Sequence, residues 1–199
     1  PLVLLGDFWR PVLDLCAAPG GKTMQLAAAG AAVTALDISD ARMVRVTENL
    51  ARTGLRAETV VADALEWTGG PFDAVLLDAP CTATGTIRRH PDLPFVKTEA
   101  QIADLAALQS ALIDRALSFA RPGGRIVFCT CSLLPEEGEA QIEAALARHP
   151  GLAIDTNALA VPGIDPEWIG PAGLRLRPDH WADRGGIDGF FIACLRTPA

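Results

Sequence analysis

Five apolar runs, each too short for a helix, recur along the chain with helical patterns between them: Val12 to Leu15, Val33 to Asp37, Glu58 to Asp63, Phe72 to Asp78 and Arg125 to Cys129. Parallel neighbours in a sheet need a crossover long enough to hold a helix, so this alternation specifies an α/β fold with a mostly parallel sheet. The intervening segments carry helix signals. A Gly-rich turn leads into a short helix from Lys22 to Ala29, and Ser39 and Asp40 can cap a helix that runs to Thr53 with Val44, Val46 and Leu50 on its apolar side, stopped by Gly54. A longer helix is expected from Glu99 to Ala120. Pro135 is expected to open another through His149, with Glu136 and Glu137 in the first turn, where the helix dipole favours acids. Residues 79–98 lack periodicity and contain three prolines, a long loop of the kind that usually carries function. Gly189 to Leu195 reads as an antiparallel edge strand. No internal repeat or linker divides the chain, and 1–199 is read as one domain.

Two cysteines stand just past strands. Ala74-Val75-Leu76-Leu77 leads into Asp78-Ala79-Pro80-Cys81, and Arg125 to Cys129 leads into Thr130-Cys131-Ser132. Open α/β sheets bind ligands outside the carboxyl ends of their strands, so Cys81 and Cys131 are expected to face one pocket despite fifty positions of separation. Cys129 and Cys194, inside apolar runs, are expected to be fillers of the core. With Cys16 the count is five, and no paired framework results. Reduced thiols in a cytoplasm are the expectation. No Cys-x-x-Cys is present and the three histidines, His90, His149 and His180, are scattered, which disfavours a zinc site. No apolar run reaches membrane-spanning length.

The turn after the first strand reads Leu15-Cys16-Ala17-Ala18-Pro19-Gly20-Gly21-Lys22-Thr23, with small residues that let backbone amides approach a ligand. A phosphate-cradling P-loop would need Gly five positions before Gly21, where Cys16 stands, and the dinucleotide fingerprint Gly-x-Gly-x-x-Gly is missing. A third ligand, S-adenosylmethionine, has no phosphates and needs close backbone contact with carboxylates at successive strand ends. Asp37 and Asp63 are so placed, the first for the ribose hydroxyls and the second for the adenine amino group. Enzymes that methylate exocyclic amines carry Asp/Asn-Pro-Pro-Tyr at the fourth strand; here the stretch is Asp78-Ala79-Pro80-Cys81, and the chain has no Tyr.

Three motifs in order carry a resemblance: Leu-Cys-Ala-Ala-Pro-Gly-Gly-Lys-Thr at 15–23, Asp-Ala-Pro-Cys-Thr-Ala-Thr-Gly followed by Ile-Arg-Arg-His-Pro-Asp within 78–92, and Thr-Cys-Ser-Leu-Leu-Pro-Glu-Glu-Gly-Glu at 130–139. Together with Asp188-Gly189-Phe190-Phe191 they resemble the RNA (cytosine-5)-methyltransferases of the Sun/Fmu family, from about Val12 to Leu195. Thr82 stands where Ser is more usual in that family, and Gly138 where Asn is common. The resemblance implies a Rossmann-like S-adenosylmethionine-dependent methyltransferase fold. Its cofactor contacts would fall on Cys16, Ala17, Ala18, Pro19, Gly20, Gly21, Lys22, Asp37, Arg42, Asp63 and Asp78. It also implies a mechanism. Carbon 5 of cytosine is a weak nucleophile, so a thiolate first adds to carbon 6, carbon 5 takes the methyl group and loses its proton, and elimination frees the thiol. Cys131 would be the nucleophile, Cys81 would assist release and Asp78 would hold or protonate the ring at nitrogen 3. DNA cytosine-5 enzymes use the Cys of a Pro-Cys pair instead, and the Thr-Cys-Ser motif is what separates the two assignments.

The expected partner is RNA, with small-subunit (16S) ribosomal RNA ahead of tRNA as substrate. A catalytically silent RNA or ribosome-assembly module is the competing class, and an ATP-binding P-loop protein a third. Arg88, Arg89 and His90 lie in the loop after Cys81, placed to touch backbone near a cytosine out of its stack. Arg175, Arg177 and His180 form a second candidate basic edge. Net charge is -7, which opposes strong independent RNA binding. Because family members carry N-terminal RNA-binding regions and Pro1 lies eleven residues before the first strand, the chain is expected to be the catalytic portion of a longer protein. It is expected to act as a monomer without metal.

Overall fold

The computed structural model describes residues 11–199; the expectation about what precedes the first strand lies outside the described residues. Five parallel strands form the centre: β1 (Pro11–Leu15), β2 (Ala32–Asp37), β3 (Glu58–Val61), β4 (Phe72–Asp78) and β5 (Ala120–Thr130). Connecting helices are α1 (Gly21–Ala28), α2 (Asp40–Thr53), α3 (Leu93–Val96) and α4 (Glu99–Phe119). After β5 come α5 (Glu139–Arg148), β6 (Ala153–Ile154), β7 (Ile169–Gly170), β8 (Gly173–Leu176) and β9 (Phe190–Arg196). The strand order is β3-β2-β1-β4-β5-β9-β8-β7, with β6 also on β9. The chain therefore winds outward from β1 in one direction and from β4 in the other. The crevice between the ends of β1 and β4 is the place where such sheets take ligands.

Alternation along the strands divides the core. Leu13, Leu15, Val75, Leu77, Ile126 and Phe128 point to one face, where Leu112, Ile113 and Ala116 of α4 and Ile142 of α5 cover them. Val12, Val33, Leu76, Val127 and Cys129 point to the other, beneath Leu26 of α1 and Leu159. Each fully buried side chain of this size contributes about 1.5–3 kcal/mol. Phe128 and Phe191 meet edge to face at 6.3 Å and tie β5 to β9. Cys129 and Cys194 are buried fillers, as expected. Helix ends follow their caps: the Ser39 hydroxyl accepts from the Arg42 N–H, and Gly54 closes α2 at φ 68°.

Several features differ from the sequence reading, among them the fifth strand, which starts at Ala120 and not at Arg125. Val44 is 51% exposed and Met43 takes its place inward with Val46 and Leu50, since residues 43, 46 and 50 share one face at helical spacing. The third strand ends at Val61, leaving Asp63 two residues beyond it. Pro135–Glu137 form a separate 3-10 turn, and Gly138 at φ -138°, ψ -101° breaks it from α5. The last strand is not an edge: β9 is antiparallel to β5 on one side and to β8 and β6 on the other, because the Pro- and Gly-rich stretch before it folds back as the β7–β8 hairpin. The 79–98 loop holds a 3-10 turn at Thr84–Thr86 and the single turn of α3. No helix among the described residues is long and apolar enough to cross a membrane.

Candidate active site

At the end of β1 the chain turns at Cys16, φ 60°, and bends back so that Gly20 N–H donates to the Ala17 carbonyl at 2.8 Å. Gly20 itself has φ 96°, and a Cβ there would lie 3.1 Å from Cγ1 of Val46, so glycine allows both the turn and the approach of α2. A Cβ on Gly21 would meet nothing within 4 Å, which leaves the mouth of the loop open at the start of α1. Asp37 organises the other wall. Its carboxylate accepts from Ala18 N–H at 3.1 Å and Ser39 N–H at 2.9 Å, and Arg42 lies 3.7 Å away while its guanidinium also donates to the Ala18 carbonyl. Cys16, Asp37, Ile38, Arg42, Asp63 and Pro80 line a cavity of about 110 Å³. Its walls are mainly apolar, Ile38 is 68% exposed over it, and carboxylates from two strand ends face in, which fits a nucleoside. Asp63 keeps one oxygen for a ligand while the other accepts from Leu65 N–H at 2.9 Å.

Beneath the loop lies Asp14, a residue without a signal in the sequence beyond its place inside β1. It is fully buried; one oxygen accepts the Thr23 hydroxyl at 2.6 Å and the other has no partner among the described residues. Burial pushes its pKa up to about 7, with Thr23 opposing and the charge of Asp78 adding. An acid held above its unfolded value costs nothing below pH 4, and its ionisation then penalises the fold increasingly as pH rises to 7. Asp14→Asn should therefore leave stability near pH 4 little changed and raise it at pH 8. The full linkage is on the order of 4 kcal/mol, or roughly 10 °C in melting temperature. Thermal melts at both pH values check this, and an equal shift at both would assign the effect to something other than ionisation.

The two cysteines expected to face one pocket come together in space. Sγ of Cys81 and Sγ of Cys131 lie 3.5 Å apart, both only partly buried and both free. The register of β4 against β5 causes this by pairing Asp78 with Cys129, so the residues that follow each strand emerge side by side. Asp78 holds Lys22 Nζ at 2.7 Å and takes the Cys129 thiol at 3.4 Å, which ties the loop after β1 to the ends of β4 and β5. Cys131 is the more acidic thiol. A hydrogen bond from Cys81 pulls its pKa below the ordinary value against burial and the charge of Asp78, with Lys22 assisting. Cys81 moves the other way, raised by that same hydrogen bond, by burial and by the nearby charges of Cys131 and Glu137. At 3.5 Å either thiol can donate to the other, and the two shifts favour Cys81 as the donor and Cys131 as the sulfur that ionises. Cys16, pushed up to about 12 by burial and the surrounding carboxylates, stays protonated.

A buried polar clamp holds the two loops together. Glu137, fully buried, accepts from Thr82 N–H at 2.9 Å, from the Thr82 hydroxyl at 2.5 Å and from the Gln109 amide at 3.1 Å. Thr84 and Ser132 hydroxyls sit 3.1 Å apart, and Gly85 N–H donates to the Cys131 carbonyl at 2.8 Å. Glu137 thus turns into the core instead of lying on a solvated first turn of a helix. Sequence reasoning missed it because two adjacent acids after a proline carry the mark of a helix start; Gln109, on a helix face, carries no mark.

Arg88, Arg89 and His90 lie exposed at the far side of the same loop. Arg88 donates to the Gly185 carbonyl and Arg89 pairs with Asp188 at 2.7 Å, so both brace the 185–188 segment. Arg175, Arg177 and His180 line one cavity, but they share it with Glu139, Glu143 and Glu167, so the second edge is not basic alone. Arg175 points inward, 4.8 Å over the Phe191 ring, donating to the Ser132 carbonyl at 2.5 Å and paired with Glu139. Its guanidinium fills the place of a side chain at Gly138, whose Cβ would lie 2.3 Å from it. Arg177 pairs with Asp179, and His180 stacks on Trp168 at 4.1 Å. Among the described residues no group of three or more His, Cys, Asp or Glu is arranged to hold a metal.

Residues 6–196 match the family described as 16S rRNA methyltransferase RsmB/F. The chain is 47% identical over 191 residues to ribosomal RNA small subunit methyltransferase B of Erwinia tasmaniensis, covering 92% of this chain and 41% of that protein. It is 46% identical to the Pseudomonas syringae pv. tomato protein of the same name, with 92% and 42% covered. The chain therefore spans about two fifths of the length of these relatives. Among solved structures, NSun6 from Pyrococcus horikoshii, crystallised with SFG, superposes with TM-score 0.84 at 31% identity, over 99% of this chain and 50% of that one. The N-methyltransferase NodS from Bradyrhizobium japonicum in complex with S-adenosyl-L-homocysteine shares the fold at TM-score 0.61 and 16% identity, over 100% and 83% of the two chains.

Proposed function

Because the chain belongs to the 16S rRNA methyltransferase RsmB/F family, we propose that it methylates carbon 5 of cytosine in small-subunit ribosomal RNA, in the cytoplasm, with S-adenosylmethionine as donor. The observation that carries this reading is the thiol pair at 3.5 Å beside the Lys22–Asp78 bridge. That site adjoins a cavity suited to a nucleoside. The donor fits the residues present: the open mouth at Gly21 leaves room for a ligand against the loop backbone, and Asp37, Asp63 and Arg42 line the adjoining cavity, where the two carboxylates would take the ribose hydroxyls and the adenine amino group. When bound, it supplies an electrophilic methyl on a sulfonium.

The remaining chemistry falls to the chain. Cys131 adds as thiolate to carbon 6 of a cytosine turned out of its stack, and the ring becomes enamine-like at carbon 5. Asp78, at the end of β4, faces the ring and shares a proton with nitrogen 3 as electrons move onto it. After methyl transfer a solvent water takes the carbon 5 proton, the electron pair of that bond restores the 5,6 double bond, and the Cys131–carbon 6 bond breaks with its electrons going to sulfur. Cys81 donates to the departing sulfur across the same 3.5 Å and stabilises it as thiolate. Two thiols so arranged favour an enzyme over a silent binding module. With a net charge of -7 the domain itself binds RNA weakly, and tight binding is expected to require the length that the relatives carry beyond the matched span.

The test is mapping of 5-methylcytosine after incubating the full-length protein and S-adenosylmethionine with small-subunit RNA or with tRNA. Methylation of one cytosine in the ribosomal RNA alone is the expected result. Methylation of tRNA alone would move the substrate, and of neither would sink the activity. Donor binding is separable: calorimetry with S-adenosylhomocysteine should show a roughly ten- to hundredfold loss in Asp37→Ala, the range for a hydrogen bond to a charged acceptor of about 1.5–3 kcal/mol.

A further inference from the structure

Cys81 is flanked by two residues that are held by one buried pair. Gln109 donates its amide to the Pro80 carbonyl at 2.8 Å and to Glu137 at 3.1 Å, and Glu137 takes both the N–H and the hydroxyl of Thr82. Among the described residues the donors that reach this carboxylate, Thr82 and Gln109, are neutral, although Glu137 is fully buried. A charge left without a cation in the core is costly, and a loop anchor alone could be built from neutral groups at lower cost. We propose that Glu137 is a positioning residue that keeps the shared proton on Cys81, so that Cys131 is the thiol that ionises. This rests on the assignment of Cys131 as nucleophile.

The groups around Cys81 make the bias specific. Toward the cofactor side stand Asp78 and Lys22, a bridged pair at 2.7 Å whose charges nearly offset each other; from β5 comes Cys131; from α4 comes the uncharged Gln109. The Cys131 hydrogen bond, burial and the charge of Cys131 raise the Cys81 thiol, a backbone hydrogen bond at Ala83 lowers it, and Glu137 adds a negative charge that raises it further. For Cys131 the opposing charge that counts is Asp78, with Lys22 working in its favour. A negative charge disfavours a nearby thiolate, so the two sulfurs, identical in chemistry, become unequal in place.

Alkylation by iodoacetamide followed by peptide mass spectrometry, on folded full-length protein without RNA between pH 6 and 9, reads which sulfur is ionised. Wild type should react at Cys131 at least about tenfold faster than at Cys81. Glu137→Gln should cut this preference at least fivefold and bring Cys81 alkylation to lower pH. Thr82→Val keeps the carboxylate but removes one hydrogen bond, and should keep the wild-type preference and pH profile. Unchanged preference in Glu137→Gln overturns the proposal, and so does an equal loss in both variants, which would reduce Glu137 to a loop anchor. Should Glu137→Gln fail to fold, Glu137→Asp, with its charge drawn back from Thr82, must give an intermediate preference. A wild-type protein that reacts first at Cys81 would instead overturn the nucleophile assignment itself.

Discussion

Cys131→Ala should abolish both methyl transfer and any covalent protein–RNA adduct, whereas Cys81→Ala should accumulate that adduct. Without a sulfur at position 131 nothing adds to carbon 6, and the loss is expected to be on the order of 10⁴-fold or more, as for other covalent nucleophiles. Cys81 is 3.5 Å from that sulfur and is the neutral partner of the pair, so its contribution comes when the carbon–sulfur bond breaks and the thiolate needs a donor. Its removal leaves attack and methylation possible but slows elimination. Denaturing gels of each variant with S-adenosylmethionine and substrate RNA would show a slow-migrating band for Cys81→Ala and none for Cys131→Ala. The opposite pattern would exchange the roles. No band from either would leave release to another group.

The thiol pair is legible in the sequence because strand ends in a parallel sheet share an edge, and a motif at each of two strand ends therefore predicts one site. The register of Asp78 against Cys129 is the physical content of that rule. Asp37 and Asp63 are legible for the same reason, since β2 ends beside β1 and β3 beside β2, which brings both carboxylates to one cavity; Arg42 joins them from the first turn of α2 and has no strand-end signal. What escaped was set by side-chain direction after the strand. Glu137 and Glu136 look alike in sequence, yet the break at Gly138 turns Glu137 inward to Thr82. Arg175 resembled part of a basic surface, but alternation along β8 gives it a half-buried place over Phe191, where Gly138 leaves the space for its guanidinium. Arg88 and Arg89 are exposed as a contact to RNA backbone requires, and the long-range contacts they also make, to Gly185 and Asp188, have no local signal.

Gly85→Ala should separate the two halves of the site. The residue is not at a positive φ; what it needs is space, for a Cβ would lie 2.0 Å from the Gly189 carbonyl oxygen and 2.8 Å from that of Cys131. Both neighbours are backbone, and both are bonded to Gly85: its N–H donates to Cys131 and its carbonyl accepts from Gly189 N–H, each at 2.8 Å. Neither can move aside as a flexible side chain would, so the Cys81 loop must lift from the Cys131 loop by the better part of an ångström or more. A displacement of that size at a reacting centre costs about 10²-fold in rate. The cofactor loop is built from β1, α1 and α2 and shares no bond with Gly85, so affinity for S-adenosylhomocysteine should change by less than about twofold. Gly21→Ala makes the opposite case, since its Cβ meets no protein atom within 4 Å and would intrude only on a ligand. It should melt at the wild-type temperature, bind S-adenosylhomocysteine weakly and keep the alkylation preference for Cys131. Parallel calorimetry and methylation assays distinguish the two substitutions, and a Gly85→Ala protein that methylates RNA at the normal rate would mean that the Cys81 loop does not have to hold this position for the chemistry to proceed.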